Sequence, residues 1–108
     1  MVAVRRFDVV LVRLDPTEGA EMRKTRPSVV ISPDEMNQSL RTVLVAPMTT
    51  GGQAYPWRVD VAFARKSGRI ALDQLRSIDG TRILRRLGTL DTPTSRKALD
   101  TLAEMFAP

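Results

Sequence analysis

Phe7-Asp8-Val9-Val10-Leu11-Val12-Arg13-Leu14 runs directly into Asp15-Pro16-Thr17-Glu18-Gly19-Ala20-Glu21-Met22-Arg23-Lys24-Thr25-Arg26-Pro27, and Ser28-Val29-Val30-Ile31 follows. The first run is rich in β-branched residues and too short between its breakers for a comfortable helix. It predicts a strand covered on much of both faces. Asp15-Pro16 favours a turn and Gly19 permits backbone angles that other residues avoid, so the polar middle predicts a mobile loop that leaves one strand and delivers Arg26 to the next. Pro27 biases the residue before it toward extended angles, which fixes the direction in which the Arg26 side chain leaves the backbone.

Working outward, Pro27 to Ile31 is a second strand, and Ser32-Pro33-Asp34-Glu35 matches a short helix with Ser32 as N-cap. Thr42 to Ala46 resumes the strand pattern, and Pro47-Met48-Thr49-Thr50-Gly51-Gly52-Gln53-Ala54-Tyr55-Pro56 is a second polar loop. Trp57 to Phe63 alternates like a strand with one wet face. Gly68 to Leu75 is strand-like, and Ser77-Ile78-Asp79-Gly80 breaks it. Ile83 to Leu90 carries basic residues suited to an edge strand. Asp91-Thr92-Pro93 starts a helix with Ala98, Leu99, Leu102, Met105 and Phe106 at helical spacing, so Leu99, Leu102 and Phe106 are expected in the core. Many short strands with one terminal helix predict a small, strongly bent antiparallel sheet or partial barrel.

At 108 residues the chain is expected to be one domain, residues 1–108. No stretch is long and apolar enough to span a bilayer, and the first residues lack the apolar core of a signal peptide, so a cytoplasmic protein with no membrane partner is expected. The absence of cysteine and histidine excludes disulfides, thiolate and imidazole metal sites, and Cys or His catalysis. Any catalysis must use Arg, Lys, Thr, Ser, Tyr, Asp or Glu. Seventeen Lys and Arg against 12 Asp and Glu, with a pI near 10.7, point to an anionic partner such as nucleic acid.

Several motifs then fall in order over nearly the whole chain: Asp8-Val9-Val10; Leu14-Asp15-Pro16-Thr17-Glu18-Gly19-Ala20-Glu21; Thr25-Arg26-Pro27-Ser28-Val29-Val30-Ile31-Ser32-Pro33; Val45-Ala46-Pro47-Met48-Thr49-Thr50; Tyr55-Pro56-Trp57; and Ala71-Leu72-Asp73-Gln74-Leu75-Arg76-Ser77-Ile78. In these the chain resembles the MazF/PemK (Kid) family of toxin endoribonucleases of bacterial toxin–antitoxin systems. The resemblance implies a mostly β, SH3-like barrel with short helices and a C-terminal α-helix. It also implies a homodimer, a cognate antitoxin partner, and metal-independent cleavage of single-stranded RNA, without cofactor, to a 2′,3′-cyclic phosphate and a 5′-hydroxyl. Carried over by position, the catalytic residues are Arg26, Thr49, Asp73 and the loop residue Glu21. RNA contacts are expected from Thr17, Lys24, Thr25, Thr50, Tyr55, Trp57, Gln74 and Arg76. The chain departs from the family pattern in having Phe7 where Gly is frequent and Met22 where Gln is frequent.

The chemistry of the residues agrees in outline. The substrate's own 2′-hydroxyl serves as nucleophile, so the protein must activate it, stabilise charge on the phosphorane-like transition state and protonate the departing 5′-oxygen. Arg26 supplies charge and a hydrogen-bonding fork, and Thr49 one further hydrogen bond. Guanidinium keeps its proton at pKa values above about 12, so Arg26 is assigned as electrostatic stabiliser and acid, with Glu21 preferred to Asp73 as base. Plainer roles compete: Asp73 as a turn cap or partner of Arg76, Lys24 and Glu21 as solvated loop charges, Tyr55 and Trp57 as half-buried packing residues. Two other functions stand beside the nuclease. One is a CcdB-like gyrase-binding toxin, disfavoured because the chain ends Met105-Phe106-Ala107-Pro108 instead of in that family's aromatic segment. The other is a catalytically inactive RNA-binding module.

Overall fold

In the computed structural model, which describes residues 2–13 and 25–108, the valine-rich run after Phe7 forms β1, Asp8–Arg13. It pairs antiparallel with β2, Thr25–Val30, on one edge and with β7, Ile83–Thr89, on the other. β2 pairs in turn with β3, Thr42–Thr49. The N-terminal half of β3 pairs with β6, Arg76–Asp79, and its last two residues with β5, Lys66–Ala71. β5 forms a hairpin with β4, Arg58–Phe63. All described pairings are antiparallel, and the strand order β4-β5-β3-β2-β1-β7, with β6 beside β3, is the expected bent sheet. The basic β7 lies at one end of that order, as its sequence predicts.

Both faces of the sheet are apolar because alternate residues of the central strands serve different clusters. Val9, Val29 and Ala46 stand in one cross-strand row and join Val59, Val61, Ile70, Leu72, Leu90 and Ala98. Val10, Val12, Val30, Val43, Val45, Ile78 and Ile83 form the second cluster, against which Val2 and Val4 pack. Fully burying each such side chain contributes about 1.5–3 kcal/mol relative to exposure. The first cluster is closed by α2, Thr92–Met105, which is capped by the Asp91 carboxylate accepting from the Thr94 amide at 3.0 Å. The Thr94 hydroxyl, and with it that amide bond, hold the Asp91 carboxyl below its ordinary pKa.

Several local expectations are corrected. The face that α2 buries is narrower than its apolar spacing suggests: Ala98 is buried and Leu102 packs on the core, while Leu99, Met105 and Phe106 are exposed, Phe106 at 75%. β3 continues through Pro47 to Thr49 where a loop was expected, because the Pro47 position is paired to Ser28 and needs no further donor. β5 ends at Ala71, and Leu72–Gln74 is a 3-10 turn, so Asp73 leaves the sheet. Ser77, Ile78 and Asp79 of the expected break at residues 77–80 instead belong to β6, Arg76–Asp79.

Ser32 is not the N-cap of α1, Asp34–Ser39; Pro33 occupies that position with no side-chain bond. The Ser32 hydroxyl instead accepts from the Leu44 amide at 3.1 Å and donates to Asn37 Oδ1, while Asn37 Nδ2 donates to the Ser32 carbonyl at 2.9 Å. A residue 1% exposed thus ties the helix to β3. Removing its oxygen strands a buried amide and one face of Asn37, which costs on the order of 1–3 kcal/mol. Ser32→Ala should therefore lower the free energy of unfolding by that amount in urea titrations at unchanged m-value; a loss within experimental error would show that the hub is redundant.

Candidate active site

The strand registers place the sequence-predicted arginine in a definite setting. Arg26 opposes Val12, Ser28 opposes both Val10 and Pro47, and Val45 opposes Arg76, so these residues share the face that carries the second cluster. The result is a cavity of roughly 310 Å³ with Val12, Val45 and Ile78 at its apolar wall and Arg13, Arg26, Ser28, Gln74, Arg76 and Arg82 at its polar one. Four guanidinium groups and no carboxylate are among its described lining residues, and Arg76 and Arg82 make further contacts of their own. Arg26 is half-buried, and its planar fork suits a tetrahedral oxyanion.

Thr49 ends β3. Ala46 and Met48 turn to the first cluster, so the period of two sends Val45, Pro47 and Thr49 to the cavity side. Two residues beyond the last β2–β3 pair, Arg26 and Thr49 occupy equivalent positions on one face. Thr49 pairs with Arg69 of β5, and its hydroxyl donates to the Arg69 carbonyl at 3.4 Å. The strands touch closely here: a Cβ on Gly68 would lie 2.2 Å from the Thr49 carbonyl oxygen, which only glycine avoids.

The chain then leaves β3 through Thr50 and two left-handed glycines, Gly51 at φ 75° and Gly52 at φ 84°. Tyr55 and Trp57 stack with ring centroids 5.0 Å apart and planes 7° from parallel. They are 36% and 38% exposed, more open than the half-buried packing expected, and Trp57 precedes β4 instead of beginning it. Arg58 lies over the Tyr55 ring at 5.3 Å and holds Asp73 through two bonds of 3.1 Å each. The Arg58 bonds keep the Asp73 carboxyl below its ordinary pKa. Asp73 thus pairs with Arg58, a partner not among the plainer roles, a turn cap or Arg76, that competed with catalysis. Its neighbour Gln74 lines the cavity, as does Arg76.

The sequence profile of the PemK-like, MazF-like toxins of type II toxin-antitoxin systems matches residues 5–106. The chain belongs to that family. It is 37% identical over 71 residues to the endoribonuclease toxin MazF of Escherichia coli K12, a stretch covering 66% of this chain and 64% of that relative. Its fold matches MazF in a MazE-MazF structure from Deinococcus radiodurans with a TM-score of 0.83, at 23% identity over 97% of this chain and 96% of that one. It also matches a mycobacterial endoribonuclease described with its cognate antitoxin, with a TM-score of 0.82 at 20% identity, over 98% of each chain. The mostly β SH3-like architecture with a terminal helix is therefore the fold of this family.

For this PemK/MazF-family chain, the structure gathers Arg26, Gln74 and Arg76 around one cavity, with Thr49 on the same face and Thr50 beside it. Thr25 begins β2 and is exposed, paired to Arg13. Asp73, Tyr55 and Trp57 form a neighbouring group around Arg58. Glu21, Thr17 and Lys24 lie outside the described residues. Sequence reasoning missed Arg13, Ser28 and Arg82 as lining residues, and Arg58 and Arg69 as anchors; alternation along β1 and β2 could have found the first two.

The Arg58–Asp73 pair has a defined pH signature. A folded-state pKa below the unfolded one means that the pair stabilises the protein above the unfolded value, about 3.9. That contribution is lost as pH falls through the lower folded value. NMR titration should find Asp73 ionising below a free aspartate, with Arg58→Ala moving its midpoint upward. An unmoved midpoint would mean that Arg58 is not the cause.

Proposed function

We propose that this chain is an endoribonuclease toxin that cuts single-stranded RNA without a metal or other cofactor, leaving a 2′,3′-cyclic phosphate and a 5′-hydroxyl, and thereby inhibits translation and growth in the cytoplasm. The observation that carries the reading is the arginine-rich cavity around Arg26, with no carboxylate among its described lining residues and with Thr49 on the same face, in a chain that has neither histidine nor cysteine. Family membership supports it.

The 2′-oxygen of the nucleotide 5′ to the cut attacks phosphorus as its proton passes to a carboxylate. The bond from phosphorus to the 5′-oxygen breaks, and that oxygen takes up a proton. Arg26 places its fork against the non-bridging oxygens, where charge grows in the transition state, and serves as acid; Thr49 adds one hydrogen bond. Glu21 is the preferred base. Asp73, gripped by Arg58 and held at a lowered pKa, is the poorer proton acceptor and acts through its neighbours. Thr17, Lys24, Thr25, Thr50, Tyr55, Trp57, Gln74 and Arg76 contact the flanking RNA, with Trp57 and Tyr55 offering exposed rings for a base.

Cleavage should persist in excess chelator and vanish when the nucleotide 5′ to the scissile bond lacks its 2′-hydroxyl; equal cutting of that 2′-deoxy substrate would sink the mechanism. Arg26→Ala should abolish activity in a folded protein. Thr49→Ala should slow it on the order of a hundredfold, and a trapped phospho-threonine would overturn the supporting role given to Thr49.

A 108-residue chain offers little surface to a long strand, so the active unit is read as a homodimer that joins two half-grooves. An acidic segment of a cognate antitoxin, folding across the same basic groove, would restrain it. Light scattering should give twice the chain mass. An acidic partner peptide should compete with RNA, bind more weakly as salt rises, and lose affinity on charge reversal at Arg23 or Lys24. Simultaneous binding of peptide and RNA, or a fully active monomer, would defeat this arrangement.

A further inference from the structure

The geometry points to Arg69 as the positioning residue that holds the Thr49 hydroxyl and the turn after it in a reactive arrangement. Arg69 sits directly across the β3–β5 ladder from Thr49 and across the β4–β5 ladder from Asp60. Its side chain, 24% exposed, reaches back over the chain that leaves β3. There Nη1 donates to the Gly52 carbonyl at 2.9 Å and to the Gly51 carbonyl at 3.4 Å, while Nε donates to Asp60 Oδ1 at 3.2 Å. The Arg69 carbonyl meanwhile accepts from the Thr49 hydroxyl. One residue therefore grips Thr49 through its main chain and the following turn through its side chain.

The turn needs such a grip. Two successive glycines carry the largest backbone entropy of any pair, and nothing lies within 4 Å of where their Cβ atoms would stand. A guanidinium is suited to the task because its rigid fork bonds Asp60 on one side and two carbonyls on another; a lysine ammonium lacks that geometry. Asp60, 87% exposed at its side chain, orients the fork and contributes little stability by itself. The neighbouring Gly68 lets β5 approach the Thr49 carbonyl closely enough for this bracing. The Arg69 fork is occupied by Asp60 and the two turn carbonyls, so it acts through Thr49 and the turn, not on the phosphate.

The inference rests on the reading of Thr49 as a catalytic group. Arg69→Ala should lower kcat by tenfold to a hundredfold, the scale of a misplaced reacting group, with KM and the salt dependence of RNA binding close to wild type. Loss of a phosphate contact would instead weaken binding and reduce the salt slope by about one. Arg69→Lys should be intermediate. The Thr49→Ala/Arg69→Ala double variant should be no slower than Thr49→Ala alone, since the second change has nothing left to misplace. Amide hydrogen exchange, which needs no RNA, should rise in Arg69→Ala at residues 49–52 and stay unchanged in β1 and α2. Additive losses in the double variant, or unaltered exchange at the turn, would overturn the proposal. A wild-type protein that cuts no RNA would refute the nuclease reading, and exchange would then decide the bracing by itself.

Discussion

The structure depends on β3 taking partners on both edges, β2 at residues 45–47 on one side and β6 at residues 42–45 and then β5 at Met48 and Thr49 on the other. The side chains of such an inner strand alternate between the two packed faces of the sheet. Ala46 and Met48 therefore complete the first cluster, while Val43, Val45, Pro47 and Thr49 look to the opposite side. The change of partner from β6 to β5 is what bends the sheet, and the 3-10 turn Leu72–Gln74 occupies the corner between them. Gln74 enters the cavity and Asp73 faces away toward Arg58 because they are consecutive residues of that corner.

Charge follows the same division. On the β4–β5 hairpin each described arginine of the wet face meets a carboxylate: Arg58 with Asp73, Arg69 with Asp60. These pairs are exposed enough that their direct contribution to stability is small, and their value is geometric, in aiming two forks. On the cavity side, arginines converge with no described carboxylate lining the recess. In the function proposed above, that convergence is what would favour a phosphate at this place over the paired arginines of the hairpin.

Strand and helix identities were legible wherever the signal was local. The β-branched density of Val9 to Val12 and of Val29 to Ile31, the Asp91-Thr92-Pro93 start, and the Arg26-Pro27 boundary all act through near neighbours, and each stands where the sequence places it. Expectations failed where a distant partner decided. Pro47 reads as a loop residue, but Ser28 stands opposite it, and the stretch 77–80 reads as a break, but β3 supplies a ladder to its first three residues. Ser32 resembled a cap because capping chemistry and tying chemistry use the same hydroxyl. The partners of Asp73 and Gly52 lie 15 and 17 residues away, and only the registers of β4 and β5 bring them together. The family's motifs named Arg26 and Thr49 without explaining their company.

The bond between Thr49 and Arg69 carries the last consequence. At 3.4 Å it is longer than an ordinary O–H···O hydrogen bond, so it holds the hydroxyl only weakly. In the proposed reaction, a phosphate oxygen at Arg26 would take that hydrogen bond in place of the Arg69 carbonyl, and so long a bond costs little to give up. The same weakness would leave the hydroxyl free to rotate if the turn beyond it were loose. In the bracing proposed above, the Gly51-Gly52 turn, held through its carbonyls by the Arg69 fork, confines that freedom, so that a weak bond in a rigid setting would let one hydroxyl serve both the resting protein and a transition state.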